Sequence, residues 1–403
     1  MLDLLILIGL KISINISIYF LVSVACITIL APFSIDAYIP ATVDISRELL
    51  ASSNSVQLSI AIFLMGFSLG PLIFGPLSDA FGRRKLICLS LIFFSLFSFL
   101  CSLSTNIYLL IFFRFFQAVS GSVGTVCGRA AVADLFSGNK LAKNYSILGL
   151  ILTIAPILAP IIGGWINEYF GWRYIFVFMA LSGALFFLIS FFNIPETLKS
   201  KDRTVFDFNG VFLNHIRILK NRNALFYILF LSSTSAVFFA FLAASPFLYI
   251  QQFGLTPIQY SYVFGSGAVI AAVSNIINIK FTSIIGYKKI IVITCYLILL
   301  NAIVLFFGGL EIFDRWSIYL SGLLFMGLFH IANSTSLTGL MDEFEKNKGA
   351  ANALAISLRF GFGMIGAGCV SIMNDKTIYP YIFTVMFFSC FAMISGLKAV
   401  KNN

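Results

Sequence analysis

A few charged side chains stand inside, or at the ends of, long apolar stretches of this chain. Asp36, in Ser34-Ile35-Asp36-Ala37-Tyr38-Ile39-Pro40, is the only acid in its stretch. An ionised carboxylate in hydrocarbon is costly unless paired, so a lone Asp there is either a group that takes up and releases a proton or one half of a permanent ion pair. Arg114 lies seven residues into another apolar stretch, about 10 Å at helical rise. A guanidinium does not give up its proton. Arg114 can therefore tune the proton affinity of Asp36, hold an anionic group, or run along a lipid-facing groove to the surface. His330 is either a neutral imidazole hydrogen-bonded between helices or a titrating group. Arg359, set among Gly361, Gly363, Gly366 and Gly368, either reaches the membrane interface or serves the site.

A second cluster is Gly75-Pro76-Leu77-Ser78-Asp79-Ala80-Phe81-Gly82-Arg83-Arg84-Lys85. Gly75 lets two helices approach closely, Gly82 permits a tight reversal, and three adjacent cations anchor the loop among lipid headgroups. Asp79 beside Arg83 and Arg84 is a local ion pair or a part that changes partners during motion. The alternative, a solvated loop that only sets topology, accounts for the cations and not for Asp79.

These residues need elements to position them, and the composition says which. The chain has 403 residues, is 60% hydrophobic and 10% charged, and has a mean hydropathy of +0.99, where charged residues make up about a quarter of soluble domains. Apolar runs near 20 residues long predict twelve membrane helices, at 17–40, 56–77, 86–104, 107–128, 144–166, 172–194, 224–250, 260–280, 290–309, 316–338, 349–373 and 379–397. The net charge of +10 does not point to nucleic acid. Its cations sit in alternate loops, with only Arg47, Arg173, Arg315 and Lys376 on the other side, which places both termini inside. The seven cysteines fall within spans without ligand spacing and read as small packing residues. The amino terminus lacks a basic region before its first apolar run, so a short interfacial lead-in is expected rather than a cleaved signal.

The longest polar segment, Pro195 to Asn223, divides six spans from six, and Gly82-Arg83-Arg84-Lys85 is echoed by Gly286-Tyr287-Lys288-Lys289. The expected units are 1–194, a linker at 195–223, and 224–403. Two such repeats about an axis along the membrane normal form the architecture of major facilitator transporters, with substrate near the midplane between halves. Spans one and four face the cavity in that architecture, bringing Asp36 and Arg114 to similar depth. Pro156, Pro160, Gly163 and Gly164 in span five predict a bent, closely packed helix.

The motifs carry a family resemblance over nearly the whole chain. Gly75, Leu77, Asp79, Gly82, Arg83 and Arg84 match the loop motif of the major facilitator superfamily. Arg114 with Gln117 resembles its span-four basic motif, and the span-five Pro/Gly run is similar to that of twelve-span drug/proton antiporters. Ser34 to Pro40, Pro195-Glu196-Thr197-Leu198 and Ala244-Ser245-Pro246-Phe247-Leu248-Tyr249-Ile250 resemble the bicyclomycin/chloramphenicol-resistance (Bcr/CflA-type) branch. The resemblance implies efflux of small amphipathic drugs driven by inward proton flow, and a charge relay at the loop. Because Ala80 stands where the family has a base, that relay rests on Asp79, Arg83, Arg84 and Asp134. Ala155 replaces a glycine of the span-five motif, and only Asn333 remains of a Pro-Asn pair near His330. Arg359 is a charge the family does not lead one to expect.

The expected fold is all-α and membrane-embedded. The expected function is drug/proton antiport in a bacterial inner membrane, by a monomer with no cofactor. The alternatives are a proton-coupled importer of one metabolite and a non-transporting receptor or scaffold. Cavity candidates are Tyr38, Gln117, Phe238, Phe241, Phe329, His330 and Asn333. An aromatic cavity suits lipophilic cations or neutral aromatic molecules. No glycine-rich phosphate loop ends in Gly-Lys-Ser/Thr, which argues against ATP as the energy source. His215 and His330 are the only histidines, which leaves no basis for a metal centre or an enzyme nucleophile.

Overall fold

A computed structural model describes residues 2–198, 203, 207–310, 316–344, 347–372 and 377–401, with backbone alone at 2–17, 31, 142, 150, 153, 208 and 316. Of the charges used to orient the chain or mark its linker, Lys199, Lys201, Asp202, Arg315, Lys346 and Lys376 lie outside the described residues.

The apolar runs form long helices: α1 (Leu2–Asp36), α3 (Ser53–Phe81), α4 (Arg83–Ser102), α5 (Ile107–Leu135), α6 (Gly138–Phe170) and α7 (Trp172–Asn193), with a short α2 (Thr42–Glu48) after the first. Beyond the linker helix α8 (Phe208–Lys220) come α9 (Arg222–Pro246), α10 (Pro257–Ile285), α11 (Tyr287–Gly309), α12 (Trp316–Asp342), α13 (Lys348–Ile372) and α14 (Tyr379–Lys401). Twelve of the described helices are long and apolar enough to cross a membrane. The chain is a multi-pass membrane protein of two six-helix bundles.

Most helices outrun the apolar segments that announce them. A 29-residue helix such as α3 is about 43 Å long, against roughly 30 Å of hydrocarbon, so its polar ends stand clear of the lipid. At the C-terminal end of the first span the opposite happens. Helix α1 stops at Asp36 and the chain passes through a 3-10 turn at Ile39–Ala41, because Pro40 has no N–H to continue the ladder.

Gly82 joins α3 to α4 at φ +96° and Gly286 joins α10 to α11 at φ +81°. These equivalent one-residue joints make the repeat visible in the backbone, and each uses a conformation that strains any residue with a Cβ. Elsewhere close packing depends on absent side chains: a Cβ at Gly163 would strike the Ala37 backbone and one at Gly366 the Ala236 backbone. Gly75 does not play the close-approach role expected of it. A Cβ there would meet only Val126, at 3.9 Å, because Gly75 faces an open cavity rather than a neighbouring helix. Helix α6 runs unbroken through Pro156 and Pro160.

The linker holds a helix that span counting misses. In α8 the residues Val211, His215, Ile218 and Leu219 recur at helical spacing, and Ile218 is buried. Helix α8 packs against α9 and α13.

Candidate functional site

Three cavities lie along the seam between the bundles. One of about 710 Å³ sits at the end that carries Gly82, lined by Asp79, Arg83, Arg129 and Tyr145 from the first half and by His215, Gly349 and Asn352. One of about 590 Å³ sits near Asn54, Gln57 and Tyr381 at the opposite end. Between them is a central cavity of about 120 Å³. Phe67 and Phe360 line the central cavity, while Pro71 and Ile356, about a turn away on the same helices, line the larger one. The two spaces are therefore neighbours along α3 and α13.

The central cavity is aromatic, with a few polar groups converging on it. Phe238 and Phe329 stack with centroids 4.3 Å apart at 6°, and Phe67 meets Phe360 edge-on at 4.4 Å across the two halves. Asp36, Asn275, His330 and Arg359 are its polar lining. Asp36 is 8% exposed and, among the described residues, forms no salt bridge and accepts no hydrogen bond. It also terminates α1, where the carbonyl end of the helix repels negative charge. Among the described residues no direct partner stabilises its charged form.

Arg359 donates Nη1 to Asn333 Oδ1 at 2.9 Å and lies over the rings of Phe329 and Phe360 at 5.1 and 5.0 Å. Its buried Nε has no hydrogen-bond partner. It does not run out to the membrane interface, because these contacts hold it at the cavity wall. His330 shares Nδ1 with the Met326 carbonyl at 2.9 Å, one turn back on its own helix.

Arg114 stands apart from the cavity, contrary to the expectation for span four. It is fully buried and turned into the first bundle, donating Nη1 to the Ser34 carbonyl at 3.2 Å and to Gln117 Oε1 at 2.9 Å. Three rings enclose it: Phe63 at 4.0 Å, Tyr38 at 4.4 Å and Phe176 at 5.8 Å. A desolvated guanidinium over aromatic faces gains about 2 kcal/mol or more, so the rings replace the carboxylate. Arg114 and Asp36 are not brought together. Gln117 is likewise internal, with Nε2 on Ser98 Oγ at 2.7 Å, and Tyr38 bonds Ser59 at 2.7 Å. Phe241 packs on Gly322 and stacks with Phe264 in the second bundle. These three are not cavity residues here; their partners lie within one bundle. Of the candidates, Phe238, Phe329 and His330 line the cavity, and Asn333 touches it through Arg359.

At the Gly82 end, Arg83 ties three elements together. Its Nη2 meets Asp79 Oδ1 at 2.5 Å and its Nε meets Asp134 Oδ2 at 3.3 Å, while Nη1 donates to Ser78 Oγ. Arg84 is outside this network, donating to the Phe191 carbonyl at 2.7 Å and covering that ring. Glu196 and Thr197, which the motifs did not mark as site residues, complete the network. Glu196 accepts from the Arg83 backbone N–H at 3.0 Å and pairs with Arg203 at 3.8 Å, and Thr197 donates to Asp134 at 2.8 Å. The signal was available, since Pro195-Glu196-Thr197 opens the linker just after span six. Asp79 shares its cavity with Gly349 at the start of α13, and its one ion-pair partner among the described residues is Arg83.

A membrane protein of two six-helix bundles with a polar-lined cavity on the seam is, as a class, a transporter. The comparisons bear this out: residues 24–395 match the Major Facilitator Superfamily, and the chain belongs to that superfamily. It is 29% identical over 366 residues to a bicyclomycin resistance protein homolog of Haemophilus influenzae, covering 91% of this chain and 92% of that one. It is 26% identical to the chloramphenicol resistance protein CraA of Acinetobacter baumannii, covering 72% and 68%. A D-xylose–proton symporter superimposes with a TM-score of 0.70 at 16% identity, over 94% of this chain and 97% of that one. A bacterial Spinster homolog in an inward-facing state superimposes with 0.73 at 15%, over 96% and 98%. The last two likenesses speak to the fold alone.

Proposed function

We infer that this protein exports small amphipathic molecules in exchange for protons, by alternating access between units 1–194 and 224–403 hinged at the linker 195–223. The orientation read from the loop cations puts both termini and the Gly82 end in the cytoplasm of a bacterial cell, with the protein in its inner membrane and acting as a monomer.

The observation that carries this reading is Asp36: a carboxyl group on the seam, in an aromatic cavity, that forms no salt bridge and accepts no hydrogen bond among the described residues although Arg359 lines the same cavity. Such a group holds its proton while closed off and releases it when water or a charged guest reaches it. Drug arriving from the cytoplasmic cavity would displace the proton inward, and the emptied, outward-open carrier would be reprotonated from outside. Arg83, Asp79 and Asp134 would hold the cytoplasmic ends of α3, α4 and α5 as one body during that motion. The resistance proteins among its relatives support efflux over uptake.

The test is a pH-gradient assay in everted membrane vesicles with an acid interior. Addition of an amphipathic drug should collapse the gradient for wild type and not for Asp36→Asn. Substrate and protons moving in the same direction would establish import instead. A panel of drugs without effect, in vesicles shown to contain the protein, would sink the efflux reading.

A further inference from the structure

The charges around the cavities do not suit the lipophilic cation that an aromatic pocket invites. Arg359 lines the central cavity from the second half, and Arg129 lines the larger cavity next to it from the first. Neither has a carboxylate partner among the described residues. A cationic guest coming by this route therefore passes one uncompensated guanidinium and stops beside another. Asp79, the acid of the larger cavity, is already engaged by Arg83. A cation therefore meets repulsion at both stations, with Asp36 alone to offset it.

A purely anionic guest fails for a different reason. Its charge on Arg359 would favour the protonated form of Asp36, so anion and proton would bind together, which is the logic of symport. Exchange needs a guest that competes with the proton at Asp36. One molecule meets both demands: a positive, hydrogen-bond-donating end displaces the proton at Asp36, and an anionic end pairs with Arg359, whose buried Nε is free to donate. The stacked Phe238 and Phe329 rings that line the same cavity call for an aromatic or apolar body.

Resting on the antiport reading above, we propose that the central cavity is a site for dipolar aromatic substrates, zwitterions with an ammonium end at Asp36 and an acidic end at Arg359. Arg359 and Asp36 are its two poles, contributed by different halves, so the substrate bridges the seam. Asn275 and His330 supply neutral polar contacts on the same wall.

The experiment uses a matched set: tryptophan, tryptamine, which lacks the carboxylate, and indole-3-propionate, which lacks the amine. Each is titrated into the purified full chain in nanodiscs. Tryptophan should bind about tenfold or more tighter than either single-charge analogue. Arg359→Gln should erase its advantage over tryptamine, Asp36→Asn its advantage over indole-3-propionate, and Arg359→Lys should preserve the order of affinities. Tryptamine binding as well as tryptophan to wild type, or no binding of any of the three, overturns the proposal. Proton movement in proteoliposomes then separates this proposal from the one it rests on. If tryptophan binds in the expected pattern but moves no protons, the dipolar site stands and antiport falls. If tetraphenylphosphonium drives proton exchange while tryptophan is inert, antiport stands and the dipolar site falls.

Discussion

Asp36 and Arg359 look into one cavity of about 120 Å³ from opposite halves of the molecule and form no salt bridge across it. A carboxyl group and a guanidinium left unpaired in an apolar space are an open position for a guest or a proton. Asp36→Asn should therefore abolish substrate-driven proton movement while leaving the melting temperature unchanged or raised, since Asn matches the neutral, proton-holding carboxyl in size and the substitution breaks no bond. A large loss of thermal stability would instead mean that Asp36 holds the fold together.

Arg114 is held by rings and by Gln117 rather than by an acid. Lysine keeps the charge but not the flat, weakly hydrated surface that stacks on Phe63 and Tyr38. Arg114→Lys should cost about 1–2 kcal/mol of stability, read as a lower melting temperature in detergent, before any change in substrate preference appears.

The Arg83 network should act on rate rather than stability. Asp79 is 45% exposed at its side chain, so Asp79→Asn should change stability by less than about 1 kcal/mol, yet slow transport if the pair must break and re-form in each cycle. Glu196→Ala should loosen the linker from the Gly82 joint, seen as faster hydrogen exchange at residues 82–84. An unaltered turnover rate in Asp79→Asn would leave the loop with a topological role only.

Ser68 on α3 and Ser357 on α13 bond reciprocally across the halves, each hydroxyl donating to the other's carbonyl, at 2.9 and 2.5 Å. Their oxygens are 3.5 Å apart, within reach of a disulfide between the corresponding cysteines. In a background stripped of the seven native thiols, Ser68→Cys with Ser357→Cys should cross-link under oxidant and stop transport, and reduction should restore it.

His215 on α8 also faces the larger cavity, and partial burial pushes its imidazole below the ordinary histidine range. The docked state thus prefers the neutral ring. That contribution to docking is complete above a pH of about 6.5, the unfolded value, and is lost as pH falls below it. The protection of α8 amides, corrected for the intrinsic exchange rate at each pH, should fall on acidification in wild type and become pH-independent in His215→Gln.

Twelve spans, the repeat and the Gly82 joint were legible because each rests on local rules: run length, loop charge and a backbone conformation open to glycine. The contents of the seam were less so. The sequence shows that Asp36 and Arg114 are charged and buried. Which way Arg114 turns depends on where Phe63 of α3, Phe176 of α7 and Tyr38 of the turn after α1 converge, and no spacing rule contains that. Phe238 and Phe329, 91 residues apart, become a stack only through packing, as Phe241 becomes structural only through Gly322. Helix α8 is hidden for a milder reason: its apolar residues are broken up by Asn214, His215 and Arg217 and form no run near 20 residues, which is what marks a span.

The joints at Gly82 and Gly286 record a duplication, and the cavity shows how far the copies have parted. Two identical halves meeting across a symmetric seam would set acid against acid or guanidinium against guanidinium. With the halves free to differ, one holds the carboxylate and the other Arg359. The present carrier is thus irreversibly heterodimeric in its chemistry: either half, expressed alone and paired with itself, would face its own charge.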